Sequence, residues 1–303
     1  MLLSIDTEPV EKIVGLYRAI DAIANAGFDA VDFSLTYSMK DENNVFFGDD
    51  YMRHAEQFKS YVEECGMTVN QAHAFFPTSY IEPEMTEKAF EKVVRGIEIA
   101  AYCGAEVIVV HPNQHLKYVE FESPEKLKKI NYEFYNKVLP YAKKYEIKIA
   151  VENMFQGKAA ARTAQWRALD STCSSAKEFM EYVDMMNSEY VVACVDVGHC
   201  GLVGRDPAEM IRVLGPRVKS LHIHDNDGRI DNHVVPYAVG IGTVDWESVC
   251  KALAEIHYDG DFTFETDGSF ENCNEDTLAS ILCHIHDVGR YLMEKIEKYK
   301  YEL

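Results

Sequence analysis

No run of about 18 consecutive apolar residues occurs in this sequence, and a helix that spans a membrane needs such a run. The first twenty residues also lack the basic start, the apolar run and the small-residue cleavage site of a secretory signal peptide. They are typical of a strand followed by a helix. We therefore expect a protein that makes no contact with a membrane.

Closely spaced cysteine pairs are also absent. The eight cysteines are scattered along 303 residues, and no two of them form a C-x-x-C motif. A chain of this length, of which 47% is hydrophobic, can bury a sizeable core without disulfide bonds. We interpret the cysteines as small core residues, and their pattern predicts a protein of the reducing cytoplasm.

Positive charge is scarce, because 30 lysines and arginines face 50 aspartates and glutamates, and the net charge is −20. Such a charge opposes long-range attraction to nucleic acid. No basic segment interleaved with aromatic residues is present that could follow a phosphate backbone. We therefore expect a small-molecule substrate and no nucleic-acid partner, although the charge of a bound metal could still receive a phosphate group.

What the sequence does contain is an alternation of short β-rich segments with longer amphipathic segments, which is typical of βα units around a parallel sheet. The candidate strands are residues 2–6, 30–35, 68–75, 106–112, 148–153, 191–199, 218–225 and 261–266. No G-x-G-x-x-G motif follows the first strand, which argues against a dinucleotide-binding sheet. The pattern predicts an α/β fold, a (β/α)8 TIM barrel that forms a single domain over residues 1–303. Two extended loops, at 36–50 and 155–174, follow strand ends and could cover a substrate.

The candidate strands end in ionisable residues, although a strand that is buried on both faces should be apolar throughout. These residues are His73, His111, Glu152, Asp196, His199, His222, His224, Asp225 and Glu265. Parallel strands bring their carboxyl ends to one rim of a barrel, where uncompensated carboxylates and imidazoles are costly. A divalent cation bound at this rim would remove that cost.

The prediction of a metal depends on four of these residues. A single acid or histidine at a strand end is usually a capping residue, but separate capping roles do not explain why four such residues lie at the same end of the barrel. They are Glu152, Asp196, His222 and Glu265. A mixed set of imidazole and carboxylate ligands favours zinc or manganese as the bound metal, although iron, magnesium and cobalt are also compatible with it. The same set argues against a site built from cysteine thiolates. His222 and His224 share a strand face, so the sequence leaves open which of them binds the metal. We prefer His222, with His224 nearby as a substrate contact or as a partner of the metal-binding residues.

At these residues the sequence resembles the xylose-isomerase-like TIM barrel superfamily, which includes sugar phosphate isomerases and epimerases together with endonuclease IV. The matching segments are VENM (151–154), CVDVGH (194–199), LHIHDNDG (221–228), GIGTVDW (240–246) and FTFET (262–266). The resemblance implies one divalent metal on Glu152, Asp196, His222 and Glu265. It also implies that His199 contacts a substrate oxygen or a second metal.

Members of the endonuclease IV type hold three zinc ions, and the sequence offers residues for such a cluster as well. The additional candidates are His73, His111, His199, Asp231 and His233. The resemblance therefore leaves the metal count open above one. One metal per chain would favour the isomerases, and three zinc ions would favour the nuclease.

The preferred hypothesis is isomerisation or epimerisation of a sugar, a sugar phosphate or a polyol through an enediolate. Glu152 and Glu265 would transfer the proton, while His199, His224 and Arg229 would orient hydroxyl groups. The alternative is hydrolysis of a phosphoester by a zinc cluster, with abasic DNA or a phosphorylated metabolite as substrate. A carbohydrate-binding barrel without chemistry is disfavoured by the intact pair of glutamates. The 18 tyrosines and 15 phenylalanines are compatible with a homo-oligomer.

Overall fold

The structure, a computed structural model, describes residues 1–40, 43–113, 124–156 and 169–303. The strands among these residues are Leu3–Asp6 (β1), Ala30–Ser34 (β2), Thr68–His73 (β3), Val107–Val109 (β4), Lys148–Glu152 (β5), Phe155–Gln156 (β6), Leu169–Asp170 (β7), Val191–Asp196 (β8), Val218–His222 (β9) and Phe262–Phe264 (β10). Each of the eight predicted strands corresponds to one of the longer strands, with ends that differ by a few residues.

Eight of the strands form one parallel sheet in the order β10-β1-β2-β3-β4-β5-β8-β9. The two ends of this sheet meet, because the N–H of Ile223 donates to the carbonyl of Thr263 at 2.9 Å and the N–H of Glu265 donates to Ile223 at 3.2 Å. The predicted (β/α)8 TIM barrel is thereby confirmed. The remaining strands, β6 and β7, form an antiparallel pair within the second extended loop. Residues 157–168 of that loop and residues 41–42 of the first lie outside the described ranges.

Helices connect the strands and surround the barrel. They are Glu8–Val14 (α1), Leu16–Ala26 (α2), Leu35–Ser38 (α3), Tyr51–Glu64 (α4), Pro83–Cys103 (α5), Pro124–Tyr145 (α6), Ala176–Met185 (α7), Val197–Leu202 (α8), Pro207–Leu214 (α9), Trp246–Glu255 (α10) and Glu275–Glu302 (α11), with short 3-10 turns at Gly215–Arg217 and Asp267–Phe270. No helix among the described residues combines the length and the apolar character that crossing a membrane requires.

The helix ends follow local sequence signals. Gly27 and Gly104 end α2 and α5 with φ values of 97° and 99°, a left-handed conformation that other residues adopt at a cost. The side chains of Asp206 and Asn274 accept backbone N–H groups at the starts of α9 and α11. These signals explain why the alternation of strands and helices can be recognised from the sequence.

The apolar core has two parts, one between the sheet and the helices and a smaller one inside the barrel. The inner cluster consists of Val107, Val109, Ala150, Val192 and Cys194. Successive side chains of a strand face opposite sides, so the residues two positions beyond Ala150 and Cys194 also face the barrel interior. This alternation directs the side chains of Glu152 and Asp196 into the mouth of the barrel.

Some polar residues that were predicted at strand ends lie just beyond them. β4 ends at Val109 and β9 at His222, so His111 and His224 follow their strands. His199 was predicted at the end of a strand but lies in α8, because the side chain of Asp196 accepts the N–H of His199 at 2.7 Å and starts a helix there.

Candidate metal centre

Glu152, Asp196, His222 and Glu265 converge at the carboxyl ends of β5, β8, β9 and β10. Nδ1 of His222 lies 3.3 Å from Oε2 of Glu265, 3.5 Å from Oε2 of Glu152 and 4.0 Å from Oδ2 of Asp196. Glu152, Asp196 and His222 are buried, and the side chain of Glu265 is 14% exposed. The structure therefore brings the four predicted ligands together around one imidazole nitrogen.

These buried side chains do not supply each other with all the hydrogen bonds that their polar atoms can make. Within the described part of the chain, both ring nitrogens of His222 lack a hydrogen-bond partner. Buried polar groups without partners are costly, and buried carboxylates are normally paired or bound to a cation. Asp196, His222 and Glu265 offer one ligand atom each within 4.8 Å of one another. The donor set fits a divalent cation such as zinc or manganese.

His73 and His111 form a second group that shares Glu152 with the first. Nε2 of His111 lies 3.0 Å from Oε2 of Glu152, and Nε2 of His73 lies 3.9 Å from the same oxygen. The two Nε2 atoms are 3.4 Å apart. Two imidazole nitrogens and a carboxylate oxygen thus lie within 4.8 Å of one another, a donor set that suits a cation such as zinc.

A third group lies on the other side of Asp196 and combines His199 with the loop residues Asp231 and His233. Oδ2 of Asp231 is 2.9 Å from Nε2 of His233 and 3.6 Å from Nε2 of His199. His224 stacks on His233 with ring centres 3.8 Å apart. This group brings together three of the five predicted additional candidates, and His224 joins them.

His224 does not take the place of His222 among the four predicted ligands. Its Nε2 lies 2.9 Å from Oδ1 of Asp196 and 3.1 Å from Oδ2, on the side of the third group. Arg229 is exposed, and its N–H donates to Asp227. Of all the predicted site residues, Arg229 alone lies outside the three groups.

Asp225 positions the loop that carries Asp231 and His233, a role that the sequence did not reveal. Its Oδ1 accepts the N–H groups of Asn226, Thr243 and Val244 at 2.9, 2.8 and 3.2 Å, and its Oδ2 accepts Nε1 of Trp246 at 2.8 Å. Its backbone pairs with Val234. The segment GIGTVDW therefore packs around a buried carboxylate, and its Asp-Trp pair is a usable signal for this contact.

Gly268 lies directly against the same loop. A Cβ atom at this position would lie 1.7 Å from the carbonyl oxygen of Asn232, and the N–H of Gly268 donates to the carbonyl of His233 at 3.0 Å. Only a residue without a side chain permits this approach. The loop is thus held on both sides, by Asp225 and by the turn that follows β10.

The pKa values of the two glutamates shift in opposite directions. Burial raises the pKa of Glu265 to about 8, and the carboxylates of Glu152 and Asp196 act in the same sense. Burial also acts to raise the pKa of Glu152, but the imidazoles of His111 and His222 outweigh it and bring this pKa well below its ordinary value. A divalent cation bound between them would favour the ionised form of both carboxylates.

Two phenylalanines that were not predicted as site residues flank the second and third groups. The ring of Phe76 lies 4.6 Å from that of His111, and the ring of Phe155 lies 4.8 Å from that of His199. Both rings are partly exposed. The site therefore combines polar groups at its floor with apolar surface at its rim, as small-molecule sites commonly do.

Comparison with known proteins gives a consistent result. The sequence model of a family described as xylose isomerase-like TIM barrel matches residues 20–281. The uncharacterized protein y4fM of Sinorhizobium fredii is 24% identical over 278 residues, which are 83% of this chain and 81% of that protein. The D-psicose 3-epimerase of Clostridium cellulolyticum H10, solved with D-tagatose, is 17% identical with a TM-score of 0.73 and covers 96% of this chain and 99% of that chain. The IOLI protein with a bound zinc atom is 16% identical with a TM-score of 0.74 and the same coverage.

Proposed function

Because the chain belongs to the xylose isomerase-like TIM barrel family, we propose that it is a divalent-metal-dependent epimerase or isomerase. Its substrate would be a sugar, a sugar phosphate or a related polyol. The observation that carries the proposal is the position of Glu152 and Glu265, whose carboxylates lie 3.5 and 3.3 Å from the same nitrogen of His222. The likeness of the fold to a D-psicose 3-epimerase supports the substrate class.

Glu152, Asp196, His222 and Glu265 would hold the cation. When bound there, a divalent cation withdraws electron density from a carbonyl group and makes the neighbouring C–H bond more acidic. The two glutamates would transfer the proton. One glutamate removes the proton from this carbon, and the other returns a proton to the opposite face or to the adjacent carbon.

The remaining histidines would orient the substrate. His199 and His224 line the site beside Asp196, and both can donate to hydroxyl oxygens. Phe76 and Phe155 would exclude water and contact the apolar face of a sugar ring. The single domain over residues 1–303, the cytoplasmic location and a homo-oligomeric state stay predictions.

The experiment begins with metal analysis of the purified protein. A panel of ketoses and inositol-type polyols is then incubated in deuterated water with the protein as purified and with protein treated with a chelator. We expect deuterium at one substrate carbon with the metal-loaded protein and none after chelation. If no substrate in a panel that includes D-psicose, D-tagatose and their phosphates exchanges, the epimerase assignment is wrong.

A second candidate function is favoured by one specific observation, namely the two groups that extend the four-residue site. His73 with His111, and His199 with Asp231 and His233, are the additional ligands that a multi-zinc phosphoesterase resembling endonuclease IV would need. Such a cluster would activate water for attack on a phosphoester. Nicking of an abasic duplex, or hydrolysis of a small phosphodiester, by protein that contains three zinc ions would favour this function over the first.

A further inference from the structure

His222 faces carboxylates on both sides of its ring, and the candidate metal centre uses only one side. Nδ1 faces Glu152 and Glu265. Nε2 faces Asp32, whose Oδ2 lies 3.7 Å away. An imidazole that binds a metal through one nitrogen carries its hydrogen on the other, so the partner of the second nitrogen decides which one is free for the metal.

Asp32 lies in the middle of β2 and is 0% exposed. Its Oδ2 accepts Nε2 of Gln71 at 2.7 Å, whereas its Oδ1 has no hydrogen-bond partner among the described residues. A buried carboxylate with one unsatisfied oxygen is costly unless a donor or a charge lies opposite. Nε2 of His222, which has no hydrogen-bond partner among the described residues, is such a donor and lies 3.7 Å from Oδ2 of Asp32.

Gln71 is itself held in one orientation. Its Oε1 accepts the hydroxyl of Ser220 at 2.6 Å, which leaves its amide N–H groups to face Asp32. Ser220 and His222 are two positions apart in β9 and therefore face the same side of the sheet. The contacts link β2, β3 and β9 across the barrel interior and set Asp32 opposite the ring of His222.

We propose that Asp32 is a positioning residue, which accepts the hydrogen of Nε2 of His222 and thereby directs Nδ1 to the metal. This inference rests on the metal centre of the proposed function but not on its reaction. A carboxylate behind a metal-binding histidine fixes the orientation of the ring and makes the ligating nitrogen more basic, and loss of such a partner typically lowers metal affinity about 10- to 100-fold.

A competing arrangement uses the same atoms. Asp32, His73 and His222 offer three ligand atoms within 4.8 Å of one another, so a cation could instead bind Nε2 of His222. The rings of His73 and His222 are stacked with centres 4.8 Å apart. The two arrangements differ in which nitrogen of His222 carries the metal, and this difference can be measured.

The first measurement is ¹⁵N NMR of protein labelled at histidine, without metal and loaded with Zn²⁺. The His222 signals are assigned by comparison with His222→Asn. We expect Zn²⁺ on Nδ1 and a hydrogen on Nε2. Zn²⁺ on Nε2 would overturn the proposal while leaving the metal centre in place. A wild-type protein that binds no Zn²⁺ would overturn both.

The second measurement is Zn²⁺ affinity by competition with a chelator. Asp32→Asn should bind Zn²⁺ about 10- to 100-fold more weakly than the wild type. Asp261→Asn is the control, because Asp261 likewise accepts a side-chain amide, that of Asn70 at 2.9 Å, but precedes β10 at the opposite end of the barrel. If both variants weaken binding equally, the effect is one of general charge and the positioning role of Asp32 is refuted. Zn²⁺ on Nδ1 with no sugar exchange would support this inference and contradict only the proposed reaction.

Discussion

Replacing Gly198 with alanine should disturb the candidate metal centre without altering any of its ligands. Gly198 lies in α8, two residues after Asp196. A Cβ atom at this position would lie 2.1 Å from Cε1 of His224 and 2.4 Å from its Nδ1. The ring of His224 is fully buried, stacked on His233 and bonded to Asp196. The ring must therefore move, and its contact with Asp196 must lengthen.

The magnitude follows from two opposing effects. Forcing an extra carbon into a packed core costs about 1–3 kcal/mol, while alanine in place of glycine inside a helix returns about 0.5–1 kcal/mol. We expect a net loss of about 1–2 kcal/mol in the free energy of unfolding of the metal-free protein, measured with urea. Because Asp196 loses its contact with Nε2 of His224, Zn²⁺ affinity should also fall about 10- to 100-fold.

Gly201 provides the matched control, since it lies in the same helix. A Cβ atom there would meet nothing closer than Oδ1 of Asn226 at 3.6 Å. Gly201→Ala should therefore keep the Zn²⁺ affinity of the wild type and unfold at an equal or slightly higher urea concentration. If Gly198→Ala behaves as Gly201→Ala does in both assays, the proposed contact between His224 and Asp196 does not support the site.

Two further predictions concern stability. Burial raises the pKa of Glu11 from 4.5 to about 7, so the stabilisation that its bound proton gives the folded state is complete below pH 4.5 and is lost as the pH rises towards 7. The free energy of unfolding of Glu11→Gln should therefore rise relative to that of the wild type across this interval, by up to about 3 kcal/mol. If the two proteins differ in their free energy of urea unfolding by the same amount at pH 4.5 and at pH 8, the raised pKa of Glu11 is contradicted. Asp225→Asn should lower the free energy of unfolding by about 1.5–3 kcal/mol, because an amide NH2 group cannot accept the indole N–H of Trp246. Unchanged thermal and urea unfolding would show that the buried carboxylate does not hold the loop.

The positions of the principal candidate ligands could be predicted because they depend on short-range patterns. Glu152 and His222 end apolar strands, and the parallel arrangement of βα units brings such ends to one rim. The structure confirms the barrel, and it places Nδ1 of His222 3.5 Å from Oε2 of Glu152. His199 lies in a helix instead of a strand because Asp196 caps that helix, a choice between two local structures that the sequence pattern did not resolve.

Other features depend on contacts between distant parts of the chain. Asp32 meets Gln71 and His222 across the barrel, and no periodicity within β2 shows which strand its side chain will face. Arg229 is exposed and lies outside the three groups, on a loop whose path depends on the hydrogen bonds of Asp225 to residues about twenty positions later. Its contact with a substrate stays a prediction. Such placements follow from tertiary packing and require the structure.

In the proposed reaction, Glu152 and Glu265 transfer a proton at a carbon beside a carbonyl group, at a site that holds a divalent metal. Its most direct test is the rate of solvent deuterium uptake into a substrate ketose by Zn²⁺- or Mn²⁺-loaded wild type, Glu152→Gln and Glu265→Gln. Glu98→Gln serves as control, because Glu98 accepts the hydroxyl of Tyr51 on the outer side of the barrel. We expect uptake by the wild type and the control, and none by the two site variants even when they contain metal. Uptake at the wild-type rate by either metal-loaded site variant would contradict it.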